Sequence, residues 1–225
     1  DEHGEDEPIE ETDHALDRWG ALWNKNSFPI EPIKAYLHTQ HEKFWLFHPE
    51  RPFGQALSAA KGTEYSAAKL IGELSESSNK IRLFPPRTGK DKTEISYAEA
   101  ARWLLYVNGY DDTSAKPKGK NLPSPGAGWL GKLGLITAKG KTLFETLMLN
   151  LVLLKEDYEP WEPNVPAWEL PKAREGERIE ITIPDNPAAL LTLQSRRLLL
   201  ERNNHKVTGY RLLGGDFFLQ RKCLQ

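Results

Sequence analysis

Cysteine is nearly absent: Cys223 is the only one in 225 residues. A lone thiol excludes an internal disulfide and any multi-cysteine zinc site within the chain, and it makes a reducing, cytoplasmic compartment the expectation. Long hydrophobic runs are also missing. Leu151–Leu154 with its neighbours falls far short of the ~20 residues that span a bilayer, so no membrane partner is expected, and no signal-peptide pattern is visible. Methionine occurs once, at Met148, and the chain opens at Asp1. An excerpt of a longer protein, or a processed one, is therefore expected. Basic residues are missing from 1–17, which hold nine acids; the rest of the chain consequently carries +7 against an overall −2.

That positive excess lies in residues 80–141, with 12 bases and five acids. A local basic excess fits an anionic partner as well as it fits a solvated surface. The composition, 39% hydrophobic and 28% charged with 16 Pro and seven Trp, is that of a globular protein with room for a core.

Local patterns predict a mixed α/β (α+β) fold: one large irregular domain with several helices, short strands and a β-hairpin near 196–213. Residues 1–11 read as an acidic mobile segment. Helices are predicted from Thr12 or Asp13 to Trp23, from Pro32 to about Glu42, over 66–74, from Tyr97 to Asn108 and over 142–154. Ser96 and Glu99 form a capping box before the fourth of these, and Gly109 stops it. Short strands are predicted at Leu133–Ala138 and Arg178–Ile183. Asn203-Asn204-His205-Lys206 joins the arms of the hairpin. Lys116, Lys118 and Lys120 alternate through Pro117 and Gly119, which keeps them out of any helix and in solvent.

Several motifs are excluded by context. Gly126–Gly131 spells G-x-G-x-x-G, but a Lys/Pro loop precedes it where a dinucleotide fold needs a strand. Gly140-Lys141-Thr142 resembles the end of a P-loop, but Leu135 stands where the first glycine is required. His38, His41 and His48 lack the further ligands of a metal site and read as solvent-exposed. No nucleophile–base pair is identifiable, so neither catalysis nor a cofactor is expected. Trp19, Trp23 and Trp103 read as core; Trp129, inside the glycine loop, is harder to place there.

Three segments in order resemble one family: Leu46-Phe47-His48-Pro49-Glu50-Arg51-Pro52-Phe53-Gly54-Gln55; Thr142 to Asn150 (TLFETLMLN); and Leu190 to Arg197 (LLTLQSRR) followed by Val207-Thr208-Gly209 and Gly215-Asp216. The family is the large subunit, CasA, of the type I-E CRISPR surveillance complex Cascade. The resemblance places residues 12–225 in the subunit's large N-terminal domain, without its C-terminal helical bundle. It implies a non-catalytic role: checking double-stranded DNA for the protospacer-adjacent motif (PAM), aiding R-loop formation on the guide RNA, and recruiting a helicase–nuclease. Partners would be PAM-bearing duplex, CRISPR guide RNA, the other Cascade subunits and that nuclease. Gly128-Trp129-Leu130-Gly131 matches the family's PAM-contacting G-x-x-G loop. Lys116, Lys118 and Lys120 would then contact phosphate. The loop from Ser78 to Thr93, with Phe84 as anchor and with Arg87 and Lys90, matches one that docks toward guide RNA and a neighbouring subunit. If the glycines serve to let backbone enter the minor groove, the favoured account, Gly131→Ala leaves folding intact; if each takes a backbone angle forbidden to other residues, Gly131→Ala lowers stability. The rival reading is an assembly scaffold for protein and guide RNA with no direct DNA contact.

Overall fold

The computed structural model describes residues 11–77, 79–111, 117–124, 126–159, 161 and 165–218, the side chains of 132 and 133 excepted. All but the last residue of the acidic segment 1–11, and Lys116 with it, lie outside that set. The fold is α+β: helices with one three-stranded antiparallel sheet. The chain divides into two compact units, 1–41 with 135–165 and 184–190, and 42–134 with 166–183 and 191–225.

The first unit is helical. Helix α1 (Thr12–Lys25) begins at the expected place, whereas helix α2 (Ile30–Thr39) starts two residues before Pro32, which lies in its first turn, and ends short of the expected Glu42. Trp19 and Trp23 stack at 5.1 Å, and Trp23 and Phe28 both meet Phe144, so these indoles pack as expected. The Trp19 indole also donates to the Met148 carbonyl at 3.0 Å.

The second unit is built around the sheet, in the order β1 (Thr63–Ser66), β3 (Lys206–Gly214), β2 (Arg196–Asn203). The hairpin β2–β3 forms as predicted. Asn204 and His205 both take positive φ, the pair of left-handed residues whose twist matches two antiparallel strands. Leu198 faces Leu212 and Leu200 faces Tyr210 across it. Behind the sheet lie two short helices, α3 (Ala67–Leu70) and α4 (Lys90–Thr93), and the long α5 (Tyr97–Tyr110). The Ser96 hydroxyl accepts from the Glu99 amide at 3.2 Å, which satisfies one of the free N–H groups at the start of α5. Ala100, Leu104 and Val107 recur at helical spacing and fill the core with Leu70, Ile71, Leu74, Leu198 and Leu212.

Four expectations are corrected. Residues 66–74 are not one helix: Thr63–Ser66 pairs with β3, and α3 keeps a single turn. Leu133–Ala138 is not a strand. Helix α6 (Trp129–Leu133) occupies its start, because Leu130 packs onto α5, and Leu135 and Ile136 are exposed. The helix expected over 142–154 is α7 (Leu143–Leu149). The Asn150 side chain folds back onto the Ala138 and Thr146 carbonyls and ends it. At Arg178–Ile183 only an isolated bridge between Glu180 and Phe217 forms, and the next helix, α8 (Pro187–Leu191), follows a Pro-containing turn.

The family-like segment at 46–55 closes the outer edge of β2. Gln55 is buried; its amide donates to the Leu46 carbonyl at 2.6 Å and its oxygen accepts from the Leu200 amide at 2.8 Å. Ala56 adds a backbone bond to Leu198. His48 accepts from the amides of Glu50 and Arg51, so it is a half-buried turn residue where an exposed one was expected; His38 and His41 are exposed. Truncating Gln55 would strand a buried β2 amide. Gln55→Ala should lower the unfolding free energy by about 2 kcal/mol in urea denaturation, and an unchanged midpoint would refute this role.

Candidate nucleic-acid interface

The segment expected as a G-x-x-G loop is helical from its second residue on, because α6 covers Trp129–Leu133 with Gly128 as its N-cap, and it rests against the end of α5. Gly109 stands in the last turn of that helix, where it was expected to stop it, and is buried there. The Gly128 amide donates to the Asp111 carbonyl at 2.9 Å, and α6 starts at the next residue. Gly128 has φ −57°, an ordinary value, so no special backbone angle demands glycine at this position. Space does. A Cβ on Gly128 would lie 2.3 Å from the Gly109 carbonyl oxygen, and one on Gly131 would lie 2.7 Å from that of Tyr110. Leu130, buried, reaches over Gly109 on the same seam. Both glycines therefore turn their missing side chains toward α5 and not toward solvent. That corrects the expectation that Gly131→Ala is neutral for folding. Gly131 nevertheless leaves backbone exposed, while Trp129 is half-buried.

The lysine loop is held from behind. The amides of Lys118 and Gly119 donate to the Glu177 carboxylate at 2.9 and 3.1 Å. Arg178 donates from Nε to the Pro123 carbonyl at 3.1 Å and covers the Phe217 ring. Burial lowers the Arg178 pKa, and the charge of Arg196 adds to this. Lys118 and Lys120 are exposed, as their spacing through Pro117 and Gly119 predicted. Neither Glu177 nor Arg178 was singled out from the sequence; the only signal was a charged pair after Gly176 in a Pro-rich stretch.

Two buried arginines at the start of β2 hold these loops in place. Arg197 is 0% exposed; it pairs with Asp216 at 2.5 Å and donates to the Gly176 carbonyl at 3.1 Å. Arg196 is 1% exposed and donates to the carbonyls of Ser195, Asp111 and Gly126. The Ser195 hydroxyl donates to the Asn108 carbonyl, and the Asn108 side chain accepts from the Arg196 amide. Near them Tyr210 is buried. Desolvation raises its pKa well above the usual tyrosine value, and the Asp111 charge adds to the rise, so the phenol stays neutral.

The second loop presents apolar side chains to solvent. Leu83 and Phe84 are 89% and 93% exposed, beside exposed Lys80, Arg82 and Lys90. Arg87 is bound to Glu73 and Glu99, and the hydrogen bond to Glu99 raises its pKa. Arg87 thereby ties the base of this loop to α5. Among the described residues no cluster of three metal-ligating side chains occurs. No helix among them is long and apolar enough to cross a membrane.

The model of the family described as CRISPR-associated protein Cse1 matches residues 8–221. The CRISPR-associated protein CasA/Cse1 of Thermus thermophilus is 34% identical over 168 residues, 69% of this chain and 30% of that one. The crystal structure of Thermobifida fusca Cse1 superposes with a TM-score of 0.69 at 28% identity, covering 89% of this chain and 40% of the other. A chain of a CRISPR RNA-guided surveillance complex matches in fold, with a TM-score of 0.67 at 23% identity over 95% of this chain and 44% of its own. The chain thus spans well under half the length of these relatives.

Substitution separates the glycines by what each faces. Gly128→Ala should cost about 2–3 kcal/mol and Gly131→Ala somewhat less, because both push against backbone that cannot rotate away. Gly20, inside α1 with nothing within 4 Å of its virtual Cβ, should behave oppositely. Gly20→Ala should stabilise by about 0.5–1 kcal/mol. Thermal melts of the three variants test the ranking; a neutral Gly128→Ala would remove the packing role.

Proposed function

The chain belongs to the CRISPR-associated Cse1 family, and from that premise we propose that it is part of the DNA-inspecting large subunit of a type I-E Cascade complex. In this reading the subunit recognises the PAM in double-stranded DNA, aids R-loop formation with the guide RNA and the other subunits, and helps recruit the helicase–nuclease. It contributes no catalysis of its own, and its place is the cytoplasm.

The observation that carries this reading is the exposed backbone of Gly131, seated on the end of α5, together with the exposed side chains of Lys118 and Lys120, whose loop is held by Glu177. A minor groove about 6 Å wide admits backbone more readily than side chains, and its degenerate pattern suits tolerant recognition. Fixed positions matter because a loose contact discriminates poorly. The lysines supply the sequence-independent part: ammonium groups on phosphate release counterions and position the duplex without reading it. Lys116 would join them.

Phe84, with almost no protein around it, suits the anchor of a loop that docks on guide RNA or a neighbouring subunit. A flat aromatic on a basic loop stacks on unpaired bases or fills a partner's pocket equally well.

In a complex reconstituted with the full-length subunit, replacing Lys118 and Lys120 by Ala should weaken binding to all duplexes about equally. The slope of log K against log salt should flatten by up to about two units. An unchanged slope would favour the scaffold reading without DNA contact. Phe84→Ala should impair assembly of the complex and leave the subunit's own melting temperature within about 1 °C, since an exposed side chain contributes little to the fold. A large loss of thermal stability would place Phe84 in the core.

A further inference from the structure

We infer that Arg196 is a positioning residue for DNA inspection: its buried guanidinium closes the neck of the loop that carries the lysines and sets the angle at which the glycine loop leaves it. The inference rests on the reading just given and adds a residue that lies nowhere on the surface.

The loop departs from α5 at Asp111 and returns at Gly126. A single nitrogen of Arg196, Nη2, donates to the Asp111 carbonyl at 3.0 Å and also to the Gly126 carbonyl. Nη1 reaches the Ser195 carbonyl at 3.1 Å. The Asp111 carbonyl also accepts from the Gly128 amide, so one oxygen joins the arginine, the helix end and the first residue of the G-x-x-G segment. Gly126 itself has φ +62°, a conformation that fixes the direction of the chain at the point where the arginine grips it. The Arg196 backbone is anchored in turn: its amide donates to Asn108 Oδ1 at 3.3 Å, and the adjacent Ser195 hydroxyl holds the Asn108 carbonyl.

This is an expensive way to hold a fold. Burying a guanidinium costs more than burying an apolar side chain of the same volume, and three of its acceptors here are neutral carbonyls. What it provides is geometry. A planar fork donates to several acceptors in fixed directions, which neither an apolar residue nor an ammonium can reproduce. Two of the acceptors it holds, the carbonyls of Asp111 and Gly126, are the boundaries of the loop proposed to meet DNA.

The test uses the reconstituted complex and a duplex library randomised beside the target. Amide hydrogen exchange over 126–134 is followed with and without selected duplex. In the wild-type complex the selected duplex should slow exchange there; absence of protection would overturn the DNA reading and this inference with it. R196K keeps the charge and loses the fork. It should lower enrichment of the selected motif about tenfold, speed exchange over 126–134 in the free complex, and leave binding to single-stranded target unchanged. Retained enrichment with wild-type protection would overturn the inference and spare the reading. An equal loss on single-stranded target would make Arg196 a stability residue only, and likewise overturn it. If R196K does not assemble, S195A removes one hydroxyl from the same anchor. S195A should lose enrichment about threefold with single-strand binding intact, and no change in that variant would count against the inference.

Discussion

Two adjacent guanidiniums buried at the first residues of β2 are the constraint on which the second unit depends. Neither can reach water, so each must find its acceptors inside the protein. Arg197 takes Asp216 and the Gly176 carbonyl, and thereby fixes the segment whose Glu177 and Arg178 hold the lysine loop. Arg196 takes carbonyls at both ends of that loop. Side chains of consecutive strand residues point to opposite faces, so one dipeptide serves two neighbourhoods. The irregular loops of this unit are ordered from the sheet outward.

Close approach of backbone to backbone is the second organising feature. Gly109, Gly128 and Gly131 let α6 sit on the end of α5 at a distance no side chain allows. The seam leaves one side of Gly131 facing solvent, so packing and exposure are combined in a single residue. The first unit relies on aromatic faces instead, with the Trp19–Trp23 stack and the Phe28–Phe144 edge contact filling the space between α1, α7 and the connection after α1.

Elements whose signals are local were legible in the sequence. The Ser96 cap, the helix that follows it and the turn at Asn204-His205 each depend on residues a few positions apart, and each formed where expected, although the Glu99 carboxylate turns to Arg87 and Trp103 and does not close the capping box. The strand β1 was missed because four residues, TEYS, carry too little pattern; only pairing with β3 makes them a strand. Leu133–Ala138 was misread because apolar alternation does not say whether a partner strand is at hand. The glycine and lysine loops were found, partly through likeness to a family. Their supports were not, because Glu177, Arg178, Arg196 and Gln55 act across 55 to 145 positions of chain. Arg87, expected in the docking loop, is tied to two carboxylates, one 14 and one 12 positions away.

Gln55 and Ala56 have a consequence for how this unit meets other chains. A strand at the rim of a sheet offers unpaired amides and carbonyls to any extended peptide. On β2 those groups at Leu198 and Leu200 are already taken, one by backbone and one by a side-chain amide that mimics it. Beside β3, Ile95 occupies the position next to β1 through a pair of bonds with Val207. What remains at the other rim is β1, four residues long. The sheet is thus a poor template for further strands, which leaves the loops of this unit as the surfaces through which it would meet other chains.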